Sequence, residues 1–250
     1  MSIHVGVCAF KKRYYSSPIK CVELQRTFYN IPQEKTVRKW REEAPEDFIF
    51  NIKVFQGLTH DAKSPTWRRC TKKLSAKDRG LVGNLRLNNL TKSWVKNYVL
   101  FAKILNAGVL VVQTSAKFSP TKENIENAKG FFQYFVEELR KEGVDAWVGW
   151  EPRGKWLEKT QNLREIIEGT DRLIHIVDPF FHKPVVVKDI AYFRLHGKPY
   201  LNYKYQYSDD ELENLASEMG KLQAEEIYVM FNNVYMEKDA QRFIRIIGER

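Results

Sequence analysis

Residues 109–151 read VLVVQTSAKFSPTKENIENAKGFFQYFVEELRKEGVDAWVGWE, which is a strand, a helix and a second strand in one connected run. Both strand segments, 109–114 and 146–151, are apolar nearly throughout rather than alternating, as parallel strands covered on both faces are. Between them Ser119-Pro120 predicts a helix cap and a first-turn proline. Phe131, Phe132, Phe135, Val136 and Leu139 then recur at helical spacing. Outward from this unit, comparable β-rich runs stand at 3–9, 21–28, 48–55, 173–177, 190–195 and 226–231. Ser208-Asp209-Asp210-Glu211 reads as a capping box, with Leu212, Leu215, Ala216, Met219 and Leu222 on one face. A last helix is predicted over about 237–249, carrying Phe243, Ile244 and Ile247.

Eight strands interleaved with helices in 250 residues predict an α/β fold, an irregular (β/α)8 TIM-like barrel formed as one domain over residues 1–250. Connections 11–20 and 182–189 are too short for a full helix, so the first and sixth connections are expected to be shortened. Residues 61–105 read as an enlarged, basic elaboration between strands 3 and 4.

The composition, 43% apolar and 29% charged, excludes disordered and fibrous classes. No run approaches the ~18 apolar residues of a membrane span, and Met1-Ser2-Ile3-His4-Val5 has no secretory-signal layout. Cys8, Cys21 and Cys70 offer neither a disulfide framework nor a CxxC zinc spacing, and a cytoplasmic location is expected.

The net charge of +10 marks a basic protein and is concentrated in two places. Residues 66–103 hold ten basic side chains against one acid, Asp78; residues 1–20 add Lys11, Lys12, Arg13 and Lys20 with no acid. Trp67, Trp94 and Tyr98 interleave with the larger stretch, a mixture suited to phosphate contact plus base stacking. Arg68, Arg69, Lys72, Lys73, Lys77 and Arg79 are the candidate nucleic-acid contacts. The alternative is a solvated helical surface whose aromatics face the core.

Barrel chemistry stands where strands end. Those positions hold Glu23 on strand 2, Lys53 on strand 3 with His60 beyond it, and Gln113 on strand 4. Strand 5 ends in Glu151 and Arg153, strand 6 in Asp178 with His182 following, strand 7 in Arg194 and His196, and strand 8 in Asn232. Lys53, Arg153 and Arg194 are cations suited to phosphate or carboxylate, or else members of a structural ion network with Glu23, Glu151 and Asp178. Glu23 with Glu151, or Glu151 with Asp178, could act as an acid/base pair. His196 is the single histidine best suited to proton transfer.

The run Val22-Glu23-Leu24-Gln25-Arg26-Thr27-Phe28-Tyr29, followed by Trp40, Phe48, Lys53 and Thr59-His60, resembles the family called domain of unknown function 72, the YecE-like proteins. Gln113, Glu151-Pro152-Arg153 with Trp156, Asp178-Pro179, Arg194-Leu195-His196-Gly197 and Phe231-Asn232-Asn233 extend the resemblance through almost the whole chain. It implies a TIM-like barrel with a polar site at the strand ends, and names no reaction. Two departures stand out: the stretch between strands 1 and 2 is shortened to residues 11–20, and Gln113-Thr114-Ser115-Ala116 replaces the usual Gln-Leu-Pro-Pro.

These residues lead to the expectation of a barrel hydrolase acting on phosphate-bearing substrates, with DNA or RNA as the favoured class. Lys53, His60, Gln113, Arg153, Arg194 and Asn232 would bind substrate, and Glu151, His196, Asp178 and Glu23 would carry the chemistry. The alternatives are a barrel enzyme for a sugar or carboxylate, and a nucleic-acid-binding protein without catalysis. His60, Glu151, Asp178, His182 and His196 are divalent-metal ligand types. Arg153 and Arg194 would repel a cation there and no compact ligand spacing exists, so the cofactor stays unknown. Cys8, ending strand 1 beside a basic loop, is a weaker nucleophile candidate. Walker and Rossmann glycine loops are absent.

Overall fold

The computed structural model describes residues 1–248. All eight expected strands form: β1 (Ser2–Val7), β2 (Cys21–Leu24), β3 (Ile49–Lys53), β4 (Val109–Gln113), β5 (Trp147–Glu151), β6 (Leu173–His175), β7 (Ile190–Leu195) and β8 (Glu226–Phe231). They make one sheet in the order β6-β5-β4-β3-β2-β1-β8-β7. That is the cyclic order of a (β/α)8 barrel interrupted between β6 and β7, where Val177 still bridges in parallel to Phe193. The helices are α1 (Arg26–Tyr29), α2 (Glu34–Glu43), α3 (Gln56–Thr59), α4 (Asn89–Leu105), α5 (Lys122–Lys141), α6 (Thr160–Glu168), α7 (Asp209–Met219) and α8 (Met236–Gly248). The fold is an α/β TIM-like barrel. Its first connection holds only a 3-10 turn at Lys12–Ser16, and among the described residues no helix lies between β6 and β7.

Several predicted boundaries shift for local reasons. β2 stops at Leu24, because Thr27 turns the chain into α1 by donating its hydroxyl to Leu24 O at 2.5 Å and Lys53 O at 2.6 Å. Helix α5 is capped by Thr121, whose Oγ accepts the Asn124 N–H at 3.2 Å, so Ser119-Pro120 lies ahead of the cap. Leu222 lies beyond the end of α7 at Met219, while the Ser208–Glu211 capping box forms as expected. The predicted last helix forms as α8, and residue 249 lies outside the described residues.

The chain divides into two compact units. The first comprises Met1–Glu23, Pro45–Ile49 and the chain from Ile174; the second comprises Leu24–Ala44 and Phe50–Leu173. In the first, β1 pairs with β2 and β8, and β7 pairs with β8, setting Arg194 opposite Met230. Its core includes Tyr192 stacked on Tyr228, with Tyr207, Phe231 and Phe243. In the second, β3–β4–β5 run parallel and Gln113 lies opposite Glu151. The predicted apolar face of α5 packs there, with Phe131, Phe132 and Phe135 buried and Phe132 against Trp150.

Candidate functional site

The second unit gathers five of the predicted residues around the end of β3. Lys53, nearly buried, donates its ammonium to Gln113 Oε1 at 2.8 Å and Gln25 Oε1 at 3.4 Å, and lies 4.5 Å above the centre of the Phe28 ring. The aliphatic stem of lysine tolerates this burial while the charge keeps polar and aromatic partners. Glu151 at the tip of β5 is buried and accepts from Arg153 at 2.9 Å. His60 closes α3; its Nδ1 is 2.8 Å from the Thr59 hydroxyl and its ring stands edge-on to Phe28. Burial lowers the His60 pKa first, the charges of Lys53 and Arg153 add to it, and the value falls to about 4. The imidazole is therefore neutral near pH 7. Lys53, Arg153 and Glu151 surround this neutral histidine, and at its ring the positive field of Lys53 and Arg153 outweighs the opposing Asp61.

The loop behind His60 is pinned by a backbone that only glycine can supply. Gly83 has φ +80°, and a Cβ there would fall 2.5 Å from the Asp61 nitrogen. In this conformation its N–H reaches Gly57 O at 2.7 Å, tying the basic connection to α3.

The first unit holds a second cluster. Arg194 and Glu23 are both fully buried and paired bidentately, Nε to Oε2 and Nη2 to Oε1, each at 3.0 Å. The Tyr192 hydroxyl donates to the same Glu23 Oε2 at 2.9 Å. Arg194 Nη1 lies 3.3 Å from His196 Nε2, and Nη2 is 3.7 Å from Cys8 Sγ. Asp178 accepts the His196 backbone N–H at 2.8 Å. The turn after His196 is again obligatory glycine: Gly197 has φ +85°, and a Cβ would meet Asn202 O at 2.0 Å.

The geometry thus places Lys53, His60, Gln113, Glu151 and Arg153 together, and Glu23, Asp178, Arg194 and His196 together. It pairs Arg153 and Arg194 with carboxylates, the ion-network arrangement weighed from the sequence. Asn232 is half-buried and gives its backbone N–H to Leu195 O at 2.9 Å. Its neighbour Asn233 is the buried one, donating to Asp239 Oδ2 and Tyr205 O, each at 2.8 Å. Sequence reasoning missed Tyr192, Gln25 and Asp239. Tyr192 could have been found, since Tyr192, Arg194 and His196 alternate along one strand face. Among the described residues, no group of three or more His, Cys, Asp or Glu side chains is arranged to hold a metal, and His182 instead stands edge-on to Tyr200.

The two basic patches differ in how they are compensated. Lys11 donates to Glu237 at 2.5 Å, and Arg13 and Tyr14 bind the same carboxylate. In the larger stretch Lys96 and Lys103 meet Glu138 and Glu142. Among the described residues no carboxylate comes within ion-pair distance of Arg68, Arg69, Lys72, Lys73, Lys77 or Arg79, all exposed. Also among the described residues, no helix is long and apolar enough to cross a membrane.

Known proteins match this arrangement at the level of family and fold. The chain is similar to the UPF0759 protein YunF of Bacillus subtilis (strain 168), 43% identical over 49 residues, which are 20% of this chain and 17% of that protein. A DUF72 family protein from Enterococcus faecalis V583 superposes with a TM-score of 0.67 at 21% identity, covering 99% of this chain and 96% of that one. Another from Thermotoga maritima MSB8 gives 0.63 at 22% identity, covering 100% and 99%. A family model described as "Protein of unknown function DUF72" accounts for residues 10–249, and the chain therefore belongs to that family.

Proposed function

We propose that the chain is a barrel hydrolase of phosphate-bearing substrates, with nucleic acid as the favoured substrate class. The observation that carries this reading is the cluster of Lys53, Arg153 and neutral His60, which lies in the same unit as the uncompensated basic connection. Largely buried cations bind phosphate oxygens more strongly than fully exposed ones do. A phosphate drawing Arg153 toward itself weakens the Arg153–Glu151 pair and makes Glu151 a better base. Hydrolysis then runs by one displacement. Water oxygen bonds to phosphorus, its proton passes to Glu151, and the P–O bond to the leaving oxygen breaks. That oxygen accepts a hydrogen bond from the neutral His60 Nε2–H, the nitrogen protonated when Nδ1 accepts from Thr59, and takes its proton from solvent. The exposed cations of residues 66–103 raise the local concentration of polyanion. In the first unit, His196 held by Asp178 is the further candidate for proton transfer.

The test is hydrolysis of bis(p-nitrophenyl) phosphate and of labelled single- and double-stranded DNA and RNA, each with and without EDTA. Cleavage that falls at least tenfold in Lys53→Met and Glu151→Gln supports the reading. Full activity in both Glu151→Gln and His196→Ala removes the catalytic assignment. Binding without cleavage of any substrate reduces the protein to a non-catalytic nucleic-acid binder.

A further inference from the structure

The second unit contains a cleft of about 360 Å³ that no step above uses, lined by Phe55, Trp67 and Trp94 together with Lys72, Lys73 and Asn97. Its aromatic wall is rigid: the Phe55 ring meets Trp67 edge-on at 5.5 Å and Trp94 edge-on at 5.0 Å. Trp67 Nε1–H is already spent on Asp61 O at 2.8 Å, so what this indole offers a ligand is its ring. Both tryptophans are only partly buried, whereas Lys72 and Lys73 are exposed on the rim. Asn97 Oδ1 and Nδ2 make no hydrogen bond to the described residues and could serve the polar edge of a planar ligand. One acid, Asp78, also lines the cleft, and it accepts from the Ser75 hydroxyl at 2.7 Å.

A chain of cations and rings leads from the phosphate cluster toward this cleft. Lys53 lies over Phe28, and Phe28 meets Tyr29 edge-on at 5.1 Å. Tyr29 lies under the Arg69 guanidinium at 3.9 Å and accepts its hydrogen bond at 2.7 Å. Asn30 then holds the loop itself, donating to Arg69 O and accepting the N–H and hydroxyl of Thr71. Phe28 and Lys53 are buried. The partly exposed rings of Tyr29, Trp67 and Trp94, however, stand among the exposed Arg69, Lys72 and Lys73, as a flexible polyanion with flat bases needs; a rigid duplex keeps its base faces stacked away from such rings.

We propose that the Trp67–Trp94 cleft stacks an unpaired base of a single-stranded nucleic acid whose phosphates lie on Lys72, Lys73 and Arg69. This deepens the nucleic-acid reading above and rests on it. The basic rim disfavours a cationic ligand, and the charge complementarity selects an anionic one.

The test compares a twelve-residue thymidine oligonucleotide with an abasic oligonucleotide of equal length and charge, by fluorescence anisotropy at several salt concentrations. The expected result is that the thymidine strand binds about tenfold more tightly. Trp94→Ala should remove that difference while leaving abasic binding unchanged. The double substitution Lys72→Glu, Lys73→Glu should weaken both strands and reduce the salt slope by about two ions. Trp94 packs against α3, so the unmutated protein is also irradiated with a 5-bromouracil-containing strand and the crosslinked peptide mapped; Trp67 or Trp94 is expected. Equal affinity for the two strands, or a crosslink elsewhere, overturns the cleft and leaves the nucleic-acid reading standing. Binding to duplex alone has the same outcome. Absence of salt-dependent binding to any nucleic acid overturns both.

Discussion

Arg194 in the first unit and Lys53 in the second are both buried strand-end cations, yet their hydrogen-bond partners differ. Arg194 is held at two nitrogens by Glu23, and Tyr192 satisfies the same carboxylate. Lys53 donates to the amide oxygens of Gln25 and Gln113 and rests on the Phe28 ring. An ion pair with both members fully buried is committed to the fold, because either charge alone would be stranded in low dielectric. Hydrogen bonds to amide oxygens and contact with an aromatic face hold the Lys53 ammonium without the bidentate geometry that locks Arg194 to Glu23. The comparison teaches that burial of charge does not by itself mark a binding group; a bidentate pair with both members fully buried marks a structural one.

Breaking the Arg194–Glu23 pair should have the largest effect. Glu23→Gln strands a buried guanidinium, and a loss of about 3–5 kcal/mol is expected in urea unfolding. The double variant Glu23→Gln, Arg194→Met should recover much of it. A loss under 1 kcal/mol in the single variant would remove the contrast between the two clusters.

His60 sharpens the same comparison through pH. It is neutral in the folded chain down to about pH 4, whereas unfolded imidazole protonates below about 6.5. Its contribution to stability is fully present above pH 6.5 and is lost as pH falls through 4. At about 1.4 kcal/mol per pK unit, the lowered value corresponds to about 3 kcal/mol across that window. The fall in stability between pH 6.5 and 4 should therefore be shallower in His60→Gln than in the unmutated protein. Parallel curves would mean that neither burial nor the positive field of Lys53 and Arg153 lowers the pKa of this ring.

Lys53→Met should act on binding rather than on the fold. Affinity for inorganic phosphate or a phosphodiester is expected to fall about tenfold or more, with stability unchanged or raised. A stability loss matching that of Glu23→Gln would show that Lys53, too, is structural.

The smallest expected effects concern the two capping boxes, one in each unit: Ser208 with Glu211 on α7, and Asn88 with Thr91 on α4. Alanine at either cap should cost about 1 kcal/mol in thermal or urea unfolding. Asn88 also donates to Leu81 O at 2.9 Å, so its variant should cost the more of the two. Equal losses would show that this loop bond adds nothing.

The strands were readable because a parallel strand buried on both faces is apolar over four to six residues, a signal that survives without any tertiary information. The Ser208 box was readable for a similar local reason. Thr121 was not, since Ser119-Pro120 offers the same cap chemistry two residues earlier. At the site, the ionisable strand ends could be named from their positions. Their grouping could not: Gln25 became a ligand of Lys53 only because Thr27 bends the chain after Leu24 and brings α1 against the end of β3. Tyr192 lay within reach of strand alternation, whereas Asp239 meets Asn233 only through the packing of α8.

By itself, then, the sequence determined the parallel α/β barrel, the placement of the charge surplus on residues 66–103 and a smaller N-terminal patch, and the set of polar strand ends. Each depends on residue type and on spacing along the chain. Only the tertiary structure decided which cation met a carboxylate and which met amides, that His60 stays neutral, and that Trp67 and Trp94 frame a cleft around Phe55. Electrostatic energy depends on distance and dielectric between groups far apart in the chain, and folding is what sets both.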